Sequence, residues 1–405
     1  MPSATPPRTD TAEDEGRYLA LRTRDARFDG QFFTGVTSTG IYCRPVCAVR
    51  TPRRENCRFF ALAAQAESAG FRPCLRCRPE VAPQALAWSV QDATTILVQQ
   101  AVRLLDASEA WGDGQGTTVA QLAQRLGVSD RHLRRIFETA LGISPLQYLQ
   151  TRRLLTAKQL LTDTAMPVTQ VALASGFGSV RRFNAAFAQH YGLNPTRLRS
   201  AGTAPGTAHR GSVRLAYRPP FDAAALLAFF AQRQFEGVEW AQADDALTLR
   251  RTVRLSVGAQ SITGWLAARF DTQRHLVLLD TSESLHPVLP QVIARVRALL
   301  DLDADPTAIN AALHGDFPNG DGLRVPGAFD GFELAVRAVL GQQITVAAAR
   351  TLGQRLVERF GEPITTPWPA LHRLFPAPAV LAQAEGDALG QLGIVRQRQA
   401  AIVAL

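Results

Sequence analysis

Four of the five cysteines in this 405-residue chain form two close pairs, Cys43-x3-Cys47 and Cys74-x2-Cys77, separated by residues 48–73. Two short pairs held apart by a longer segment are how a chain builds a tetrahedral thiolate cage around Zn(II). Soft sulfur suits zinc, and coordination keeps each thiol deprotonated at neutral pH. No histidine precedes His132, so the ligand set is expected to be all sulfur. The fifth cysteine, Cys57, lies alone in ENCRFF beside aromatics and reads as a small packed residue. An odd cysteine count confined to one stretch argues against a disulfide framework. Such a cage serves either as a structural staple, its commoner use, or as a source of nucleophilic thiolate that needs no general base. Spacing alone leaves both open.

The segments around the cage are unevenly charged. The whole chain carries +9. Residues 17–80 hold twelve arginines against five acids, and residues 117–199 hold eleven basic residues against three acids. Residues 212–405 are nearly balanced, with eighteen arginines and nineteen acids. A basic front and middle suit a polyanionic partner better than arginines scattered for solubility. The single lysine, Lys158, is read as a product of composition, without a functional role. No stretch approaches the roughly 18 unbroken apolar residues of a membrane span. The opening MPSATPPRTDTAEDEG lacks the basic flank and apolar run of a signal peptide, so a cytoplasmic location is expected.

Composition divides the chain as follows: a disordered tail, 1–16; the cysteine segment, 17–83; a helix (Ala85, Trp88, Ile96, Val98, Val102, Leu105) and Gly-rich linker, 84–116; a basic helical segment, 117–199; a linker, 200–211; a strand-rich segment, 212–288; and a helical segment, 289–405. The middle segment repeats one unit. In TVAQLAQRLGVSDRHLRRIFETALGISPLQYL, Ser129 reads as the N-cap of a second helix that offers Arg131, His132, Arg134 and Arg135 outward and buries Leu133, Ile136 and Phe137. In PVTQVALASGFGSVRRFNAAFAQHYG, Ser179 is the cap, Arg181, Arg182, Asn184 and Gln189 are polar, and Phe183 and Phe187 face the core. Two helix-turn-helix units in one block can enter successive major grooves, although a single helical hairpin would be weak evidence. Further on, VRLAYRPP, LTLRRTVRL, SITGWLAARF and HLVLLD alternate like strands, and helical periodicity takes over from Leu289. The expected fold class is therefore multidomain α+β: a small zinc-bound α/β domain, an all-α double helix-turn-helix domain, an α+β lobe and a partial helical lobe.

Three resemblances sharpen these readings. FFTGVTSTGIYCRPVCAVR, RENCRFF and GFRPCLRCRPE together resemble the zinc domain of the Ada methylphosphotriester repair proteins over about 17–80. The resemblance implies zinc ligands at Cys43, Cys47, Cys74 and Cys77, a methyl acceptor at Cys43, and DNA-backbone contacts at Thr39, Arg50 and Arg72. Ala48 stands where the family often has an arginine. Residues 117–199, above all SGFGSVRRFNAAFAQHYGLNPTRLR, resemble the AraC-family DNA-binding domain. This implies double-stranded DNA and RNA polymerase as partners, in the bacterial cytoplasm at the nucleoid, with Arg131, Arg134, Arg135, Arg181 and Arg182 on the DNA side. From about 212 onward, VRLAYRPPFDAAALLAFFAQRQFEGVE and RVPGAFDGFELAVRAVLGQQITVAAARTLGQRL resemble AlkA, the 3-methyladenine DNA glycosylase. By that resemblance Phe229 lines a base pocket and Gln343 occupies the place of a wedge that is apolar in AlkA itself. Phe229 reads equally as a core aromatic beside Leu226 and Phe230. The family's helix-hairpin-helix and catalytic aspartate are expected beyond residue 405, so base excision is not expected of these residues alone.

The implied chemistry is methyl transfer from a neutral backbone phosphotriester to a zinc-bound thiolate. Four thiolates on Zn(II) carry −2 and three with a thioether carry −1, so repair is expected to strengthen binding to a polyanion. No cysteine follows Cys77, and a second acceptor for methyl from guanine O6 is not expected. Two other readings remain open: a transcription factor with structural zinc, and a base-excision enzyme whose front half only targets DNA. The acceptor reading requires the metal-held sulfur to be both anionic and within reach of damaged DNA.

Overall fold

A computed structural model describes residues 12–83, 93–106, 118–201, 211–242, 246–257, 260–384 and 387–405. Helix α1 (Ala12–Thr23) starts earlier than the expected end of the tail at residue 16. Its first turn carries Glu13, Asp14 and Glu15, which favour a helix N-terminus. Asp14 accepts from Arg17 at 3.3 Å and Glu15 pairs with Arg54 at 2.8 Å. Residues 1–11 lie outside the described residues, as do 84–92 of the expected connecting helix.

A four-stranded sheet follows, formed by β1 (Phe33–Val36), β2 (Ile41–Cys43), β3 (Cys57–Phe60) and β4 (Arg72–Pro73) in the order β3-β1-β2-β4. Strands β2 and β4 run parallel, and the Cys74 N–H donates to the Tyr42 carbonyl at 2.9 Å. That pairing brings the ends of the two cysteine-bearing strands together. Helix α2 (Ala63–Ser68) closes a small core of Phe33, Tyr42, Ala66 and Phe71.

The helical middle comprises α3 (Ala93–Asp106), α4 (Val119–Arg125), α5 (Asp130–Leu141), α6 (Pro145–Asp163), α7 (Val168–Ala174), α8 (Val180–Tyr191) and α9 (Pro195–Ala201). The repeat is written in its caps. Ser129 and Ser179 accept from the third helical N–H of α5 and α8, and Gly142 and Gly192 end those helices in the left-handed conformation. Pro145 and Pro195 then open α6 and α9. The expected faces are present: Leu133, Ile136, Phe137, Phe183 and Phe187 are buried, and Arg131, Arg134, Arg135, Arg181 and Arg182 are exposed.

Strands β5 (Val213–Ala216), β6 (Glu239–Gln242), β7 (Thr248–Val257), β8 (Gln260–Asp271) and β9 (Leu276–Thr281) form an antiparallel sheet in the order β5-β9-β8-β7-β6, with α10 (Ala223–Arg233) between the first two. Strand β6 was not expected from the sequence. Helices α11 (Leu289–Leu299), α12 (Pro306–Leu313), α13 (Gly331–Gly341), α14 (Val346–Phe360), α15 (Pro378–Ala382) and α16 (Arg396–Ala404) complete the chain.

The cores do not follow the segments read from composition. One runs without a break from Leu160, Phe183 and Phe187 of the second helix-turn-helix unit into Leu215, Leu227, Val253 and Val292 of the third region. Another joins the first unit to α3 and to Ala64 of the cysteine segment. Among the described residues, no helix is long and apolar enough to cross a membrane.

Candidate metal centre and nucleic-acid interface

The Sγ atoms of Cys43, Cys47, Cys74 and Cys77 all lie within 4.8 Å of one another, and those of Cys47 and Cys74 are 4.0 Å apart. Zinc–sulfur bonds of about 2.3 Å in a tetrahedron place sulfurs about 3.8 Å apart, so the four residues fit a zinc ion. Cys43 closes β2, Cys74 follows β4, and Cys47 and Cys77 come from the turns beyond. The backbone N–H of Arg44 donates to Cys77 Sγ at 3.3 Å. Hydrogen bonding from Cys43 drives the Cys74 thiol far down, while bonding to Cys47 and Cys74 drives Cys43 up. Such unequal sharing of protons is what a cation in the cage removes. Cys57 stands apart: its Sγ contacts the Arg53 carbonyl at 3.4 Å, and burial pushes its thiol up to about 11.

The cage is less open than the sequence reading required. Cys43 keeps 6% of its surface, and half-buried Ile41 and Val49 pack against the cluster. Thr39 and Arg50 are exposed nearby in sequence, Thr39 in the turn before β2 with Oγ1 on the Val36 carbonyl at 3.4 Å. Arg72 is exposed, but its Nη1 donates to the Tyr191 carbonyl at the end of α8, at 3.3 Å. Beside Ala48 stands an arginine that no sequence motif singled out. Arg24, in the left-handed conformation (φ 53°), reaches across to the carbonyls of Ala48 and Val49 at 3.5 and 3.3 Å.

Beside Cys43, buried Arg44 donates Nε to Asp29 Oδ1 at 2.7 Å and Nη1 to the Cys77 carbonyl at 3.0 Å. The Asp29 carbonyl in turn accepts from Arg218 of the third region at 2.8 Å. Glu67 of α2 forms a second junction. It accepts from Tyr42 at 2.8 Å and Thr151 at 2.6 Å, and lies 3.0 Å from His190 Nε2. Gln65 of α2 also donates to the Leu141 carbonyl at the end of α5 at 2.9 Å, so the cysteine segment is bonded to both helix-turn-helix units and to the third region.

On the helical face, Arg131, Arg134 and Arg135 surround an open depression with Asp130, Glu138 and Thr139. Arg134 lies 3.8 Å from Asp130, and Arg135 Nη2 lies 3.2 Å from His132 Nδ1.

In the third region a cavity of about 330 Å³ is lined by Phe229, Phe230, Phe235 and Phe329 together with charged groups. Phe229 keeps 36% of its surface, meets Phe230 edge-on at 5.7 Å, and carries the Arg233 guanidinium 3.8 Å from its ring centre. It is a lining aromatic rather than an enclosed one. Gln343 is exposed and left-handed (φ 54°) in the turn between α13 and α14, outside the lining, whereas its neighbour Ile344 is part of it.

Comparison with known proteins matches this architecture part by part. Residues 16–80 match the metal-binding domain of Ada, 122–201 a helix-turn-helix domain and 212–330 the AlkA N-terminal domain. A probable bifunctional transcriptional activator/DNA repair enzyme AlkA of Mycobacterium tuberculosis is 38% identical over 399 residues, covering 96% of this chain and 77% of the relative. This chain belongs to the bifunctional Ada/AlkA repair-regulator family. The regulatory protein ada of Salmonella typhimurium is 33% identical over 189 residues, 47% of this chain and 50% of its own length. The DNA-3-methyladenine glycosylase 2 of Escherichia coli is 35% identical over 196 residues, 47% of this chain and 64% of its own. The four-cysteine cage is a zinc site.

In the cavity wall, Glu333 accepts from Arg251 at 2.6 Å and from Arg337 at 2.9 Å. Burial alone would raise its carboxyl, but the two guanidiniums outweigh burial and hold it below the usual range. A depressed carboxylate adds stability above its unfolded pKa and loses it as pH falls through the folded value. Glu333→Leu takes from buried Arg251 its 2.6 Å partner and leaves it only Glu239 at 3.7 Å, and is therefore expected to cost about 3–5 kcal/mol in denaturant unfolding at neutral pH. The penalty should shrink in acid, where the native protein has lost the same interaction. A loss below about 1 kcal/mol would show that the pair is solvated.

Proposed function

We propose that Cys43 accepts a methyl group from methylphosphotriesters in double-stranded DNA, and that the helix-turn-helix pair uses the methylated protein as a gene regulator. The observation that carries this is the complete four-sulfur cage set in a basic domain that is bonded directly to α5 and α8, the helices that carry the exposed arginines. Bound zinc keeps the sulfurs as thiolates at neutral pH. The Cys43 thiolate attacks the triester methyl carbon. A sulfur–carbon bond forms, the carbon–oxygen bond breaks with its electrons, and an ordinary phosphodiester anion leaves. Cys43 ends as a thioether, and the protein has lost one negative charge beside a polyanion. Because Ile41 and Val49 crowd the cage, the backbone approaches along the Thr39 and Arg50 side. Arg72 exchanges the Tyr191 carbonyl for phosphate. Incubation with methylphosphotriester DNA, followed by intact mass measurement, is expected to show one added methyl per chain; no adduct would favour a transcription factor with structural zinc.

We assign DNA contact to Arg131, Arg134, Arg135, Arg181 and Arg182, with RNA polymerase as the partner in activation. We take the seven segments read from composition as the functional organisation, with α1 (Ala12–Thr23) removed from the tail. Arg131→Ala and Arg181→Ala, at matching places in the repeat, are each expected to weaken binding to every duplex sequence. Each should also lower the salt slope of binding by about 1 for a lost phosphate contact. An unchanged slope with relaxed sequence preference would make that arginine a base reader instead.

The third region we read as a DNA-glycosylase-like base site, with Phe229 as a pocket aromatic and Gln343 at the wedge position. We expect no base excision from these 405 residues, because each acid of the cavity faces an arginine.

A further inference from the structure

A chain with 43 arginines keeps one lysine, and that lysine is buried. Lys158 retains 1% of its surface, on the helix α6 that links the two helix-turn-helix units. Its ammonium donates to the carbonyl of Cys74, a member of the cage, at 3.1 Å and to Glu80 Oε2 at 2.6 Å. Composition explains why lysine is missing elsewhere, but not why it persists here. An ammonium is a compact point charge with three donors, whereas guanidinium is a planar fork with five to satisfy. Two bonds in a sealed gap between a carbonyl and a carboxylate suit the first and would leave the second with unpaired donors.

The surroundings tie that ammonium to both sides. Arg78 donates to Glu80 at 3.0 Å and to Asp163 of α6 at 2.5 Å, so the segment after Cys77 is bracketed by Lys158 and Asp163. Asp163 also accepts from the Arg214 N–H of β5 at 3.1 Å. On α6 the neighbours Leu154, Ala157, Leu160 and Leu161 belong to the core of the second helix-turn-helix unit, with Phe183 and Phe187 of α8. A shift of Lys158 along its axis therefore reaches the helix that carries Arg181 and Arg182. A cation held against the backbone of an anionic cage is held less firmly when the cage loses one charge.

We propose that Lys158 is the positioning residue through which the DNA-binding helices read the methylation state of the cage. It acts through the Cys74 backbone and touches no substrate. The inference rests on the methyl-acceptor reading of Cys43.

Because the lysine is unique, a chain labelled with 15N-lysine carries a single Nζ signal, and that signal is expected to move when the protein is methylated. In parallel, Lys158→Gln is expected to reach one methyl per chain while losing most of the rise in affinity for a mixed-sequence duplex that methylation gives the unaltered chain. Couplings between such sites are commonly about 5- to 150-fold. An unmoved Nζ signal in a fully methylated chain overturns the proposal. So does a Lys158→Gln chain that keeps the full rise. If the substituted chain does not fold, the signal of the unaltered protein decides. If the unaltered chain takes up no methyl at all, the acceptor reading fails first and the proposal falls with it.

Discussion

Cys43→Ser is expected to abolish methyl uptake, from one methyl per chain to none by intact mass. A serine hydroxyl remains protonated at neutral pH and offers hard oxygen where the site supplies soft sulfur, so the nucleophile disappears even where the metal is retained. Cys57→Ser is the informative companion. Its thiol is raised to about 11 by burial and lies outside the cage, so uptake should remain at one methyl per chain. Serine substitutions at Cys47, Cys74 or Cys77 should lower zinc content and uptake together. Loss of uptake with zinc retained distinguishes an acceptor from a ligand. If Cys43→Ser took up methyl normally while a ligand variant did not, the acceptor would be that other sulfur. Cys77 is the more exposed alternative.

The chemistry of the front half was legible because it is carried by short-range signals. Cysteine spacing within one chain segment defines a ligand set, and Ser129, Ser179, Gly142 and Gly192 each mark a helix end by local backbone geometry. What stayed hidden depends on approach between distant segments. Strand β6 has only four residues and no apolar alternation beyond Trp240 and its neighbours, and it exists because β7 offers it a ladder. The pairings Arg44–Asp29, Lys158–Glu80 and Arg251–Glu333 have no periodicity, since a buried ion pair is defined by where two charges meet. Composition gave no hint that Lys158 is buried against Glu80 and the Cys74 carbonyl. The linker residues 202–210 lie outside the described residues, yet the segments on either side of them share one core.

That shared packing changes how the functional parts relate. Asp29 sits between Arg44, next to Cys43, and Arg218, whose Nη1 donates to the Asp303 carbonyl at 2.7 Å. Glu67 joins the strand that ends in Cys43 to α6 and α8. Arg44, through Asp29, thus ties the strand that ends in Cys43 to the third region, and Glu67 ties the same strand to α6 and α8. Independent modules strung on linkers would show solvated, exchangeable contacts instead.

Incubated with methylated DNA, these 405 residues are expected to release no free 3-methyladenine above background. The cavity has the aromatic walls of a base site, but cleavage of a glycosidic bond also needs a carboxylate free to face the sugar. Three acids line the cavity, and each is committed elsewhere. Glu333 is clamped by Arg251 and Arg337. Glu239 is paired with Arg337 at 2.5 Å and lies 3.7 Å from Arg251. Asp330 caps α13 by accepting the Glu333 N–H at 2.8 Å and faces Arg295 at 3.7 Å. Freeing Glu333 would leave buried Arg251 with only Glu239 at 3.7 Å, at a cost of about 3–5 kcal/mol that turnover would meet in every cycle. DNA binding by the helix-turn-helix pair should persist in the same preparation, which separates an inactive cavity from an unfolded chain. Sustained release of base would show that one of the three acids leaves its arginines, and Asp330, with the weakest pairing, would be the first to substitute with asparagine.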